Sequence, residues 1–299
     1  MKSPPRRRLV RTIVRLPHSM NTHPAPTLPS PHGMPASLGV FDSGVGGLTV
    51  LRELRRVLPQ VPMHYVADAG YAPYGLRTPE SLIQRSLAVS EYLIERGARL
   101  LVVACNTATA HAIEALRQRW PDIPIVGTEP GIKPAVASTR NGRIGVMATP
   151  ATIASARFAD LIKRHAPEVQ VFSQACPGLV ELIERGELDT PALHQLLGQL
   201  CAPLKAAGVD TVLMGCTHYP LIQGPLQQAL GESVQLLNIE SAVAQQAARL
   251  WQRLELGGQD SSQTAPPPTL QTTGSAAALT AFVRDVLGWE AAQAQSLVI

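Results

Sequence analysis

The sequence predicts an α/β protein built from two similar parallel-sheet domains, related by a pseudo-two-fold and facing each other across a cleft. Three observations carry this expectation. From Leu38 onward, short apolar runs alternate with helical patterns, which is how a parallel sheet flanked by helices reads. A weak internal repeat runs through the middle of the chain. Leu38-Gly39-Val40-Phe41 followed by Asp42-Ser43-Gly44 resembles Ile144-Gly145-Val146-Met147 followed by Ala148-Thr149-Pro150, and the run from Leu100 to Thr107 resembles that from Thr211 to His218 at a similar separation. In both copies of the second run a cysteine, Cys105 or Cys216, stands where a buried strand ends and a helix begins.

The elements follow in order. Leu38–Phe41 is an apolar run closed by Asp42-Ser43-Gly44, after which Leu48, Leu51, Leu54 and Leu58 repeat at helical spacing. Met63–Ala67 is the second strand. Thr78 is then a helix cap and Pro79 suits the first helical position, while Leu82, Ile83, Val89, Leu93 and Ile94 keep one face apolar until Gly97 stops the helix. Leu100–Ala104, Ile125–Val126, Ile144–Met147 and Val169–Ser173 read as further strands, and Thr190-Pro191 opens a helix as Thr78-Pro79 does. Thr211–Met214 and Gln235–Leu237 complete the central set. Residues 257–268, ending in Pro266-Pro267-Pro268, read as a linker before a strand-like piece at Leu270–Thr272 and a helix from Ala276 to Leu287. The expected division is a first domain of residues 38–132 plus 245–299 and a second of residues 133–244.

The chain has 299 residues, of which 45% are hydrophobic and 16% charged, enough to bury more than one core. No run reaches the roughly eighteen apolar residues of a membrane span, so a soluble, cytoplasmic protein is expected, with no membrane partner. The net charge of +4 is a property of one end. Residues 1–37 hold six of the 26 Lys and Arg residues and no acid, so the remaining 20 meet 22 acidic residues and the body is about neutral. That segment also holds eight of the 26 prolines and no continuous apolar core, and reads as a disordered extension or an over-long start, with Met20 or Met34 as alternative starts. An organelle address or a weak nucleic-acid patch is the minority reading, and no nucleic acid is required.

Four cysteines are present, with no Cys-x-x-Cys pair, and free thiols are expected. Cys176 and Cys201 read as small buried hydrophobes. Cys105 and Cys216 do not, because polar side chains that a packed core has no reason to hold follow each of them. At the carboxyl end of a parallel strand, ahead of a helix, a thiol faces the ligand crevice, where unpaired N–H groups favour its thiolate. Asp42-Ser43-Gly44-Val45-Gly46-Gly47 is either an anion cradle at a helix N-terminus or a tight turn capped by Asp42. Pro73-Tyr74-Gly75 is a turn whose Tyr hydroxyl and Gly amide are able to hold a carboxylate, or an ordinary surface loop.

Together Asp42-Ser43-Gly44-Val45-Gly46-Gly47-Leu48, Pro73-Tyr74-Gly75, Cys105-Asn106-Thr107-Ala108-Thr109-Ala110, Glu129-Pro130 with Lys133-Pro134-Ala135, and Gly215-Cys216-Thr217-His218-Tyr219-Pro220 resemble the glutamate racemases, cofactor-independent members of the aspartate/glutamate racemase group. The resemblance runs from about Leu38 to the last helix. It implies an active site between two α/β domains and interconversion of L- and D-glutamate, the D form feeding peptidoglycan synthesis. It implies that Cys105 and Cys216 are the acid/base thiols, assisted by Asp42, Glu184 and His218, and that Asp42, Ser43, Tyr74, Gly75, Asn106, Thr107, Thr217 and His218 line the substrate site. It implies no cofactor and no metal, with glutamate as the partner molecule and a homodimer compatible with the chain. Leu76 and Glu181 depart from the family pattern, each standing where a proline is usual.

The chemistry suits that arrangement, since inverting a stereocentre needs one group to take the α-proton and another to deliver one to the opposite face. A thiol, with an ordinary pKa of about 8.5, serves either role near neutrality. A carboxylate beside it disfavours the thiolate, so Asp42 and Glu184 are expected to accept protons or orient rather than to stabilise charge. A pyridoxal enzyme would need a Schiff-base lysine, and of Lys2, Lys133, Lys163 and Lys205 only Lys133 lies in a motif. A zinc site on Cys216 and His218 lacks a second ligand pair. Aspartate racemase is the nearer rival, and a carboxylate-binding module is the alternative from another class.

Overall fold

The computed structural model describes residues 35–254 and 265–299. Most of the expected extension and most of the expected linker lie outside the described residues. Ser37, read with the extension, instead begins a strand, its N–H donating to Gly97 O at 3.0 Å.

β1 (Ser37–Asp42) leads to α1 (Leu48–Val57), β2 (Met63–Ala67) to α2 (Pro79–Glu95), β3 (Ala98–Val103) to α3 (Asn106–Arg119), and β4 (Ile125–Gly127) to α4 (Ile132–Ser138). β5 (Arg143–Ala148) is followed by α5 (Pro150–Ile153) and α6 (Ala156–His165), and β6 (Gln170–Ala175) by α7 (Leu179–Glu184) and α8 (Pro191–Ala206). β7 (Thr211–Met214) leads to α9 (Gln223–Leu230) and β8 (Gln235–Leu237) to α10 (Glu240–Gln252). After residues 265–268, which are irregular, come β9 (Thr269–Thr272), α11 (Ala276–Leu287) and β10 (Ala294–Ser296).

The local signals act as read. Thr78 accepts from Ser81 N at 3.3 Å and Thr190 from Leu193 N at 3.3 Å, so each satisfies an otherwise orphaned amide of its helix. Gly97, at φ 92°, makes the left-handed turn from α2 into β3. β10 has no counterpart in the sequence reading. Ala294-Gln295-Ser296 is a poor strand former, and it becomes a strand because the edge of β9 offers it a row of unpaired backbone groups.

All pairings are parallel, and the two sheets run β10-β9-β2-β1-β3-β4 and β6-β5-β7-β8. The order 2-1-3-4 in one matches 6-5-7-8 in the other, which is the internal repeat expressed as topology. In such sheets the chain leaves in opposite directions from the two central strands, and ligands bind outside their carboxyl ends. The central strands here are β1 and β3 in one sheet and β5 and β7 in the other. The residues that follow all four meet at one place.

One buried polar group has no part in that place. Glu240 opens α10, which packs against α1; it is 4% exposed, and burial, only partly offset by the nearby backbone amides of Ile239 and Glu240, pushes its pKa up to about 7. The folded state therefore prefers the protonated acid. Below pH 4.5, the group's ordinary value, folded and unfolded states are both protonated and there is no penalty; as pH rises to 7 the fold loses roughly 3 kcal/mol. Glu240→Gln is expected to be more stable than the wild type in urea at pH 8, and the advantage should vanish near pH 4.5. A constant difference across that range would show that Glu240 does not titrate in the fold.

Candidate active site

A small cavity of about 30 Å³ lies between the sheets. From the β1 end come Asp42 and Ser43, from the β3 end Cys105, Asn106 and Thr107, from the β5 end Thr149 and Pro150, and from the β7 end Cys216, Thr217 and His218. The turn Pro73 to Leu76 closes one side.

Cys105 caps α3: its Sγ accepts from Ala108 N at 3.4 Å and the thiol donates to Ser43 Oγ at 3.7 Å. Burial, and then the charge of Asp42, raise its pKa well above the ordinary thiol value, against the pull of the Ala108 amide. Cys105 is thus a protonated thiol at rest.

Cys216 has different company. His218 Nδ1 lies 3.6 Å from its Sγ, and Nε2 lies 2.6 Å from Glu184 Oε1. Burial by itself lowers the pKa of His218, but the charges and hydrogen bonds of Cys216 and Glu184 outweigh it, and the ring keeps its proton well above the ordinary range. One thiol is hydrogen-bonded to a hydroxyl and an amide, the other to an imidazolium. The site is asymmetric although the sheets repeat.

The glycine-rich turn resolves the two readings of it. Gly44 N donates to Asp42 Oδ1 at 2.8 Å and Val45 N to Glu184 Oε1 at 2.8 Å. The turn does cradle anions, but they are the protein's own carboxylates. Thr217 Oγ1 donates to Asp42 Oδ2 at 3.3 Å, so Asp42 reaches both halves of the molecule. Burial raises its pKa, in part offset by the nearby His218 charge.

The Tyr74 hydroxyl is not offered to the cleft. It donates to Asp68 Oδ2 at 2.5 Å, although Tyr74 lines the cavity. Asn106 Nδ2 donates to Thr128 O at 2.9 Å, while its buried Oδ1 has no partner. Thr107 Oγ1 is 2.8 Å from Thr149 Oγ1, a hydroxyl contact that bridges the two sheets.

A family model described as Asp/Glu/Hydantoin racemase matches residues 44–247. The chain is 52% identical over 221 residues to the glutamate racemase of Pseudomonas syringae pv. tomato, spanning 74% of this chain and 80% of that protein. It is 50% identical over 226 residues to that of Herpetosiphon aurantiacus, spanning 76% and 89%. The chain belongs to the glutamate racemase family.

Solved glutamate racemases share its architecture. The crystal structure of the isoform RacE1 from Bacillus anthracis matches with a TM-score of 0.78 at 33% identity, covering 88% of this chain and 97% of that one. The Escherichia coli glutamate racemase, solved with L-glutamate and the activator UDP-MurNAc-ala, matches with a TM-score of 0.75 at 32% identity over the same shares. No helix among the described residues is long and apolar enough to cross a membrane.

Of the residues singled out from sequence, Asp42, Ser43, Tyr74, Gly75, Cys105, Asn106, Thr107, Cys216, Thr217 and His218 line the cavity. Glu184 does not; it stands behind His218. Cys201 is fully buried in the core, but Cys176, read the same way, also borders the cavity, as does Glu181. Thr149 was missed as a site residue in this glutamate racemase fold. The repeat held the signal, since Thr149 stands in the β5 copy where Ser43 stands in the β1 copy.

Proposed function

We propose that this chain interconverts L- and D-glutamate in the cytoplasm, without a cofactor, by proton transfer between Cα and two thiols, and so supplies D-glutamate for peptidoglycan synthesis. The observation that carries the mechanism is that Cys105 and Cys216, from equivalent positions of two repeated sheets, border one cavity with different hydrogen-bond partners. For one enantiomer the Cys216 sulfur takes the α-proton and the Cys105 thiol returns one to the opposite face; for the other the roles exchange. The bond broken and the bond formed are both to Cα, and the thiol lost on one side is regained on the other, so the enzyme ends each turnover with the same number of protons.

The remaining residues hold the substrate and tune the sulfurs. Asn106 Oδ1, a buried acceptor without a partner, suits the substrate ammonium. Ser43, Thr107, Thr217 and the backbone of Gly75 suit its carboxylates, as does Thr149. The developing charge on the α-carboxylate is stabilised by amides at the start of α3. Asp42 accepts or relays protons beside Cys105. His218 does so beside Cys216, and Glu184 positions His218.

Circular dichroism of L-glutamate and L-aspartate with purified protein alone tests this reading. L-glutamate should lose its optical activity while L-aspartate changes far more slowly. Faster loss with aspartate would make the chain an aspartate racemase, and activity only with added pyridoxal phosphate would remove the two-thiol mechanism. Sedimentation of the same preparation reads whether the chain is a homodimer.

A further inference from the structure

Asp68 lies just beyond β2, and its N–H donates to Asp42 O at 2.8 Å. Its fully buried carboxylate accepts four hydrogen bonds. Oδ2 takes them from the Tyr74 hydroxyl at 2.5 Å and Arg85 Nε at 2.7 Å. Oδ1 takes them from Arg85 Nη2 at 2.7 Å and Thr273 Oγ1 at 2.8 Å. Arg85, itself 9% exposed, donates from Nη1 to Ile299 O at 2.9 Å, and its Cζ sits 3.7 Å from the centre of the Tyr71 ring. Leu297 N donates to Thr272 O at 2.8 Å, and Leu297 and Ile299 pack on the buried cluster that contains Tyr74. An unbroken chain of contacts therefore runs from the residues after β10 to the wall of the cavity.

We propose that Arg85 is a positioning residue of the active site, which with Asp68 fixes the Tyr74-Gly75 wall against the segment 297–299. The proposal rests on the reading of the cavity as the glutamate site. A guanidinium bound through two nitrogens sets the orientation of a carboxylate as well as its distance, which a lysine ammonium does not. Asp68 held in that orientation leaves one lone-pair direction for the Tyr74 hydroxyl, and the ring is fixed with it. The Gly75 backbone runs close to the opposite wall, since a Cβ there would lie 3.1 Å from Thr149, so a shift of Tyr74-Gly75 changes the width of the cavity. A slackened Tyr74 thus alters the cavity while leaving the strands that carry the thiols in place.

Arg85→Lys in the full chain tests this. KM for both enantiomers should rise about tenfold with kcat within about twofold, because a loosened wall weakens binding of ground and transition states alike while the strands that carry the thiols stay in place. Deleting residues 297–299 should raise KM about threefold in the wild type and add nothing in the Arg85→Lys background, as expected for one shared chain of contacts. Hydrogen exchange at the amides of Leu76 and Arg77, which donate to Pro73 O at 3.4 Å and Tyr74 O at 3.1 Å, should quicken in both variants while α3 amides hold. Tyr74→Phe, which removes only the hydroxyl bound to Asp68, should repeat the rise in KM and stands in should Arg85→Lys fail to fold. An unchanged KM with kcat falling only as the folded fraction falls, additive effects of the two changes, or unaltered exchange at Leu76 and Arg77 would each overturn the proposal. A wild-type protein inert toward glutamate would remove the functional reading instead, and the exchange measurement would still decide the role of Arg85.

Discussion

Replacing Cys105 or Cys216 by Ala lowers racemisation by more than about 1,000-fold, the scale of a lost acid/base group, while glutamate still binds. The expectation follows from placement. Each sulfur ends a different sheet, so neither thiol can serve the other's face, and the proposed substrate-binding residues Ser43, Asn106, Thr107 and Thr217 are untouched by either change. Calorimetric titration of each variant with glutamate separates binding from turnover. In heavy water, at low conversion by the wild type, the newly formed enantiomer should carry deuterium at Cα while unreacted substrate stays protiated, because acceptor and donor are different groups. A product that keeps its original α-proton, or a Cys216→Ala protein that racemises at a comparable rate, would leave a single base carrying the reaction.

Gly46→Ala is expected to cost at least about 100-fold in kcat, again the scale of a displaced acid/base group. A Cβ at position 46 would overlap the His218 imidazole, reaching its Cγ at 2.7 Å. An exposed side chain would swing aside, but His218 is buried, with Glu184 on one ring nitrogen and Cys216 on the other. Relieving the clash therefore breaks one of those bonds and moves the proton away from the Cys216 sulfur. Overpacking should also cost about 1–3 kcal/mol in stability. Gly198→Ala is the control: it lies on the exposed side of α8 with nothing within 4 Å of its Cβ, and should add up to about 1 kcal/mol of stability with unchanged kcat. Full activity in Gly46→Ala would show that the position of His218 is not needed for turnover.

The sites of the two thiols were legible because they depend on local pattern. An apolar strand, a cysteine and then polar residues are written in about ten consecutive residues, and their recurrence about 110 residues later announces a second sheet of the same order; Cys105 does open a helix, whereas after Cys216 a 3-10 turn, Tyr219–Ile222, comes before α9. Glu184 entered only through the family resemblance. Its carboxylate does not border the cavity and instead hydrogen-bonds His218 and the Val45 amide.

By itself, the sequence determined the class of fold, nine of the ten strands among the described residues, the capped helices and the pair of cysteines, because hydrophobic periodicity and capping chemistry act over a few residues. The tertiary structure alone decided which polar group meets which. Val45 and Glu184 are 139 residues apart, yet the carboxylate takes the amide that seemed free for a ligand. The Tyr74 hydroxyl turns to Asp68 and Arg85, Thr149 and Cys176 come to border the cavity, and β10 forms only because β9 leaves an edge open. A buried donor or acceptor must be satisfied by whatever the packed chain brings within about 3 Å, and that is set by how the two sheets dock, which no local period records.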